Sequence, residues 1–200
     1  LPILCVMDAF GVRAYWKNWS FEELKLILPA GLVGIVIGAL AMGLLSDRYI
    51  KGMIGIIAIS FMLDRIFQLR QRLHWQQLPG KYFARVCALV SGVTSTVAHA
   101  GGPPILVYLM ARNLTKQMFV ATTAVFFTVL NAGKMLPYAA MGFFTLDSLK
   151  IALSLAVFAP LGVWLGLYVL RIIPERYFFS LATALLGISG INLLYDAFQF

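Results

Sequence analysis

The sequence predicts an all-α polytopic membrane protein, a helical bundle of two inverted repeats with one re-entrant break. Three observations predict it. Of its 200 residues, 61% are hydrophobic and only 12% charged, against about 25% charged in soluble domains, and its mean hydropathy is +0.87. Apolar segments of roughly 17–25 residues, the length that crosses a bilayer as a helix, recur along the chain. One of them, residues 91–108 (SGVTSTVAHAGGPPILVY), is interrupted at Gly101-Gly102-Pro103-Pro104. Two prolines remove backbone donors there, and two glycines open unusual backbone angles. In lipid such a break survives only where protein or a water-filled cavity satisfies the freed groups.

Residues 1–15 read as the remainder of a first helix, so the chain is expected to lack its N-terminal part. This helix carries Asp8 and ends among Arg13, Tyr15, Trp16, Lys17 and Trp19, the residue types that anchor helix ends at a membrane interface. Ser20 and Glu23 form a capping-box pattern for a helix over about 21–45. That helix holds Pro29 and the ladder Gly31, Gly34, Gly38, whose Gly-x-x-x-Gly spacing permits close approach of a second helix. Asp47-Arg48-Tyr49 turns the chain into a helix over 50–67, and a polar loop over 68–81 follows. A helix from about 82 enters the broken stretch. Residues 105–110 beyond the break are too short to cross alone, and Arg112-Asn113-Leu114-Thr115-Lys116 returns to a surface. Further helices are predicted over 118–140, 146–170 and 176–198.

An internal repeat organises these elements. Gly34, Gly38, Asp47, Arg48 and Tyr49 match Gly162, Gly166, Glu175, Arg176 and Tyr177 at a constant shift of 128. Asp8 and Tyr15 match Asn131 and Tyr138, each pair seven residues apart. The expected division is residues 1–79, the remainder of an N-terminal repeat without its Gly-rich motif, and residues 80–200, the C-terminal repeat. Charge then orients the halves. If residues 91–110 return to their starting side, the loop with Arg65, Arg70, Arg72, Lys81 and Arg85 lies inside. So do Arg13, Lys17, Lys25, Arg112, Lys116, Arg171 and Arg176, against Arg48, Lys51 and Lys150 outside. This satisfies the positive-inside rule and makes the repeats inverted, an architecture of secondary transporters with the site at broken helices near the midplane. The formal charge of +8 is explained the same way, rather than by a nucleic-acid surface.

Few polar residues fall inside the apolar segments: Asp8, Asp64, His99, Asn131, Lys134 and Asn192. A charge at the bilayer centre costs about 2.5–3.5 kcal/mol even on a lenient insertion scale, so Lys134, midway along an apolar helix, is the most informative. It either snorkels to the interface or provides a fixed positive charge for an anion or a buried carboxylate. Asn131 and Tyr138 share its helix face. His99 is a buried hydrogen-bonded histidine, a donor to substrate or a proton carrier. The amides of Gly101 and Gly102, and the positive end of a short helix starting at Pro103, add donors suited to an anion. Thr94, Ser95 and Thr96 either complete the lining or bond their own helix backbone. Asp8 is a coupling carboxylate or the partner of Lys134.

Cys5 and Cys87 lie in apolar surroundings without metal-like spacing, and the two histidines, His74 and His99, exclude a histidine-rich metal centre. Neither a metal nor another cofactor is expected.

The stretch GVTSTVAHAGGPP, then YLMARNLTK, then ATTAVFFTVLNAGKMLPYAAMG over 121–142 resembles the sulfite exporter TauE/SafE family of membrane permeases. The likeness is tight over about 90–142. The resemblance implies two repeated helical halves, each with a Gly-rich motif, and proton-coupled transport of small sulfur-containing anions such as sulfite, sulfonates or sulfoacetate. The family's first Gly-rich motif is absent from this chain.

The leading expectation is a multi-pass anion permease of a bacterial inner membrane, not an enzyme. Its partners are a small anion and the lipid bilayer. Substrate is expected at Thr94, Ser95, His99, Gly101, Gly102, Pro103, Asn131, Lys134 and Tyr138, with Asp8 or His99 carrying the proton. The alternatives are an intramembrane enzyme using His99 and Ser95, which are one helical turn apart, and a structural membrane subunit.

Overall fold

The computed structural model describes residues 1–42, 47–67, 80–144 and 146–198. Nine helices lie among them: α1 (Pro2–Ala14), α2 (Phe21–Ala41), α3 (Asp47–Phe67), α4 (Lys81–Ala98), α5 (Gly102–Met110), α6 (Lys116–Ala140), α7 (Leu146–Ala156), α8 (Ala159–Ile172) and α9 (Glu175–Phe198). Among the described residues, α2, α6 and α9 are each long and apolar enough to cross a membrane. The last part of α7 joins α8 as a fourth candidate span, bent by 43°. The expectations for Arg70, Arg72 and the loop over 68–79, and for the side chains of Asp64 and Arg65, lie outside the described residues.

Three local expectations need correction. The helix expected over 146–170 is two, because Pro160 stands in the first turn of α8, where its ring excludes the carbonyl four residues back and it has no N–H to donate. Asp47-Arg48-Tyr49 is the first turn of α3, not a connecting turn. The capping box at α2 is only half formed: the Ser20 hydroxyl accepts from Glu23 N at 3.4 Å. The reciprocal bond is replaced, since Ser20 N donates to Thr122 Oγ1 at 2.9 Å.

Packing follows the glycines of α2. That helix lies parallel to α4 in the most extensive contact among the described helices. A Cβ on Gly34 would run into the Leu89 carbonyl and lie 3.0 Å from Gly92 Cα, so these backbones touch because neither residue has a side chain. α3 and α9 run antiparallel, with Gly55 against Leu194 and Gly190 against Ala58. A Cβ at Gly162 or Gly166 meets nothing within 4 Å; the two Gly-x-x-x-Gly ladders matched in sequence are not packed alike. Ile27, Ile105, Leu109, Phe126 and Leu130 are fully buried and join α2, α5 and α6 in one core.

Four basic residues gather at one end of the bundle. Lys25 of α2, Lys81 and Arg85 of α4, and Arg112 just after α5 line a single cavity. The Tyr108 ring near the end of α5 lies 6.5 Å from Phe83 at the start of α4. α4 and α5 therefore form a hairpin that returns to its own end, and the break is its tip. At the start of α6, Lys116 Nζ donates to Leu170 O at 2.6 Å and Lys116 N to Glu175 Oε1 at 2.9 Å, tying in the end of α8 and the start of α9.

Candidate functional site

The tip of the hairpin is built differently from the sequence expectation. α4 stops at His99, whose φ of 52° is left-handed, an uncommon conformation for a residue with a side chain. Gly101 is the N-cap of α5, and Pro103 and Pro104 sit in its first turn, where missing N–H groups cost nothing. The Gly-Gly-Pro-Pro run thus starts the second helix; His99 ends the first. Ser91 Oγ donates to Gly101 O at 2.6 Å and fixes the returning chain against α4.

At the end of α4 the backbone N–H groups of His99 and Ala100 both reach back to Thr94 O. The carbonyls of Ser95 and Thr96 then need other donors, and α6 supplies them. Lys134 Nζ donates to Ser95 Oγ at 2.9 Å and reaches Ser95 O at 3.4 Å. Tyr138 donates its hydroxyl proton to Thr96 O at 2.7 Å. The Tyr138 oxygen lies 3.5 Å from His99 Nε2, where it can only accept. Lys134 is 1% exposed, so it does not snorkel. Its charge faces the negative end of the α4 dipole.

One turn before Lys134, Asn131 Nδ2 donates to Asp8 Oδ2 of α1 at 2.7 Å. The structure thus brings Asp8, Ser95, His99, Asn131, Lys134 and Tyr138 together. Thr94 is turned to its own helix, donating to Val90 O at 2.8 Å, and Thr96 does likewise to Gly92 O. The expected contact between Ser95 and His99 is replaced: α4 ends between them, Ser95 Oγ is engaged by Lys134, and His99 Nε2 faces Tyr138.

On the other side of the tip, His99, Gly102 and Pro103 line a mostly apolar cavity of about 550 Å³ that also touches Phe119, Leu186 and Asn192. Gly101 is buried behind it.

A second cluster was missed in the sequence. Glu23, 4% exposed, accepts from the Tyr108 hydroxyl and from Arg112 Nε at 2.6 Å. The capping-box reading had assigned that carboxylate to the helix start; the signal against it was the Tyr and Arg four residues apart in YLMAR.

Long apolar helices packed through glycines, with a buried lysine at a broken helix, define a multi-pass helical membrane protein with a polar site inside. The chain belongs to the sulfite exporter TauE/SafE family, whose sequence pattern matches residues 1–193. Members of this family are membrane transporters of sulfur anions, not enzymes. No curated protein and no solved structure matches the chain.

Proposed function

We propose that the chain is a proton-coupled secondary transporter of a small sulfur-containing anion (sulfite, a sulfonate or sulfoacetate) in a bacterial inner membrane. The observation that carries this reading is the buried Lys134 ammonium held against Ser95 at the broken end of α4. A charge in that place is costly unless something balances it. An anion entering at the hairpin tip takes over from Ser95 as acceptor for Lys134. The amides of Gly101 and Gly102 and the positive end of α5 at Pro103 complete its coordination, with His99 donating from the cavity side. Asn131 and Tyr138 hold Lys134's helix face in register with Asp8 and with the end of α4.

Charge balance gives the coupling. One buried ammonium cannot neutralise both Asp8 and an arriving anion, so a proton travels with the anion and rests on Asp8, or on His99 when the site faces the other way. Alternating access then rocks one half (residues 1–79) against the other (80–200), with α4 and α5 as a re-entrant hairpin. The inverted-repeat reading is supported by the Asp8–Asn131 hydrogen bond. These two positions are matched between the halves, and equivalents meet in this way when a pseudo-two-fold axis passes between them. The gathering of Lys25, Lys81, Arg85 and Arg112 at one end supports the orientation.

The test is flux through the purified chain in proteoliposomes, with labelled sulfite, sulfoacetate, a short alkyl sulfonate and acetate. Saturable movement of one or more sulfur anions, driven by an imposed pH gradient, is expected. Transport of acetate alone, or none of the sulfur anions, contradicts the proposal.

A further inference from the structure

The basic end of the bundle has more charge than the transport site requires. Its cavity, about 480 Å³, is lined by the cations Lys25, Lys81, Arg85 and Arg112 against two carboxylates, Glu22 and Glu23. Lys81 and Arg85 stand one turn apart at the start of α4, which has no side-chain cap and no acidic residue in its first turn. Positive side chains there meet the positive end of the helix dipole, an unfavourable pairing that a bound anion reverses. Glu23 lies in the first turn of α2, yet its carboxylate is buried and turned to Tyr108 and Arg112. That contact pins the end of α5 to α2. The Glu23 hydrogen bond also raises Arg112 above its already high value, so the guanidinium is charged at any working pH.

We propose that this cavity is an anion-binding station separate from Lys134, in which an oxyanion competes with Glu23 for Arg112 and thereby loosens α5 from α2. Lys25, Lys81 and Arg85 hold the anion at the mouth. Arg112 swings from the Glu23 carboxylate to the anion, as a guanidinium does readily between oxyanion partners. Tyr108 keeps its bond to Glu23 until α5 moves. Because α5 carries Gly102 and Pro103 at its far end, occupancy at the basic end is transmitted along one short rigid helix to the hairpin tip. The ligand chemistry is that of a small tetrahedral or pyramidal oxyanion, either free in solution or as the phosphate of a lipid headgroup.

The experiment measures sulfate affinity of the full chain in nanodiscs of zwitterionic lipid by calorimetry, in a Lys134→Ala background that removes the other site. Sulfate binding is expected to persist. The double variant Lys81→Gln/Arg85→Gln, both at exposed positions, is expected to weaken it at least tenfold. Glu23→Gln, whose amide oxygen still accepts from Tyr108, is expected to tighten it several-fold. In discs containing phosphatidylglycerol, a lower sulfate affinity identifies the headgroup as the occupant and an unchanged affinity identifies the free anion; either result keeps the station. Sulfate affinity within twofold of the parent in Lys81→Gln/Arg85→Gln, or weaker binding in Glu23→Gln, overturns the proposal.

Discussion

Lys134 closes the end of a helix to which it does not belong: its ammonium, on α6, donates to the hydroxyl of Ser95 at 2.9 Å, one turn before α4 stops. The bond spans 39 residues of sequence and joins a fully buried charge to the helix end that closes with a left-handed His99. It satisfies the end of α4, and in the proposed mechanism it is the bond that an arriving anion replaces.

Ser95→Ala separates those two roles. It removes the hydroxyl acceptor and leaves Lys134 with the Ser95 carbonyl at 3.4 Å. Loss of a hydrogen bond to a charged group lowers stability by about 1.5–3 kcal/mol. With saturating sulfite the deficit is expected to shrink, because the anion supplies the missing acceptor. Thermal unfolding of wild type and variant with and without sulfite measures it; an equal deficit in both conditions means that the anion does not sit at Lys134.

Asp8→Asn tests the coupling. Asn131 can still donate to the new amide oxygen, so the α1–α6 contact survives and the melting temperature is expected to stay within a few degrees. The carboxylate proposed to hold the proton is gone, so anion flux is expected to lose its response to an imposed pH gradient. Flux measured against internal and external pH decides this, and a wild-type gradient response would place the proton elsewhere.

The glycine ladders give a paired prediction about stability. Gly34→Ala places a methyl on the Leu89 carbonyl, and overpacking of this kind costs about 1–3 kcal/mol. Gly162→Ala meets open space and gains helix propensity, so it is neutral or stabilising by up to about 1 kcal/mol. Comparative unfolding in detergent reads both. Equal losses would mean that the two ladders are packed alike after all.

Much of the fold is legible in the sequence because lipid imposes simple rules on it. Apolar runs mark α2, α6 and α9, Gly34 and Gly38 mark the tightest packing, and Lys134 is conspicuous because charge is rare in such helices. The break was legible as a region, but its centre was not. Proline suggests a stop, whereas Pro103 and Pro104 tolerate a helix start, and no residue type announces that His99 takes a left-handed φ. The α7–α8 bend was missed although Pro160 signals it, because the hydropathy of the surrounding run is continuous. Partners across the bundle, such as Lys134 with Ser95, Asn131 with Asp8 and Glu23 with Tyr108, are set by how helices pack. A local pattern cannot supply them; for Glu23 it pointed to the helix cap instead.

The most direct measurement is sulfur-anion flux in proteoliposomes containing Lys134→Ala, beside Lys134→Arg and wild type, each checked for insertion and monodispersity. Lys134→Ala is expected to give no flux above empty liposomes, and Lys134→Arg reduced flux, because it keeps the charge but places a bulkier planar guanidinium where the compact ammonium is fully buried against Ser95. Uptake or efflux at the wild-type rate through Lys134→Ala would contradict a role for Lys134 in binding the anion.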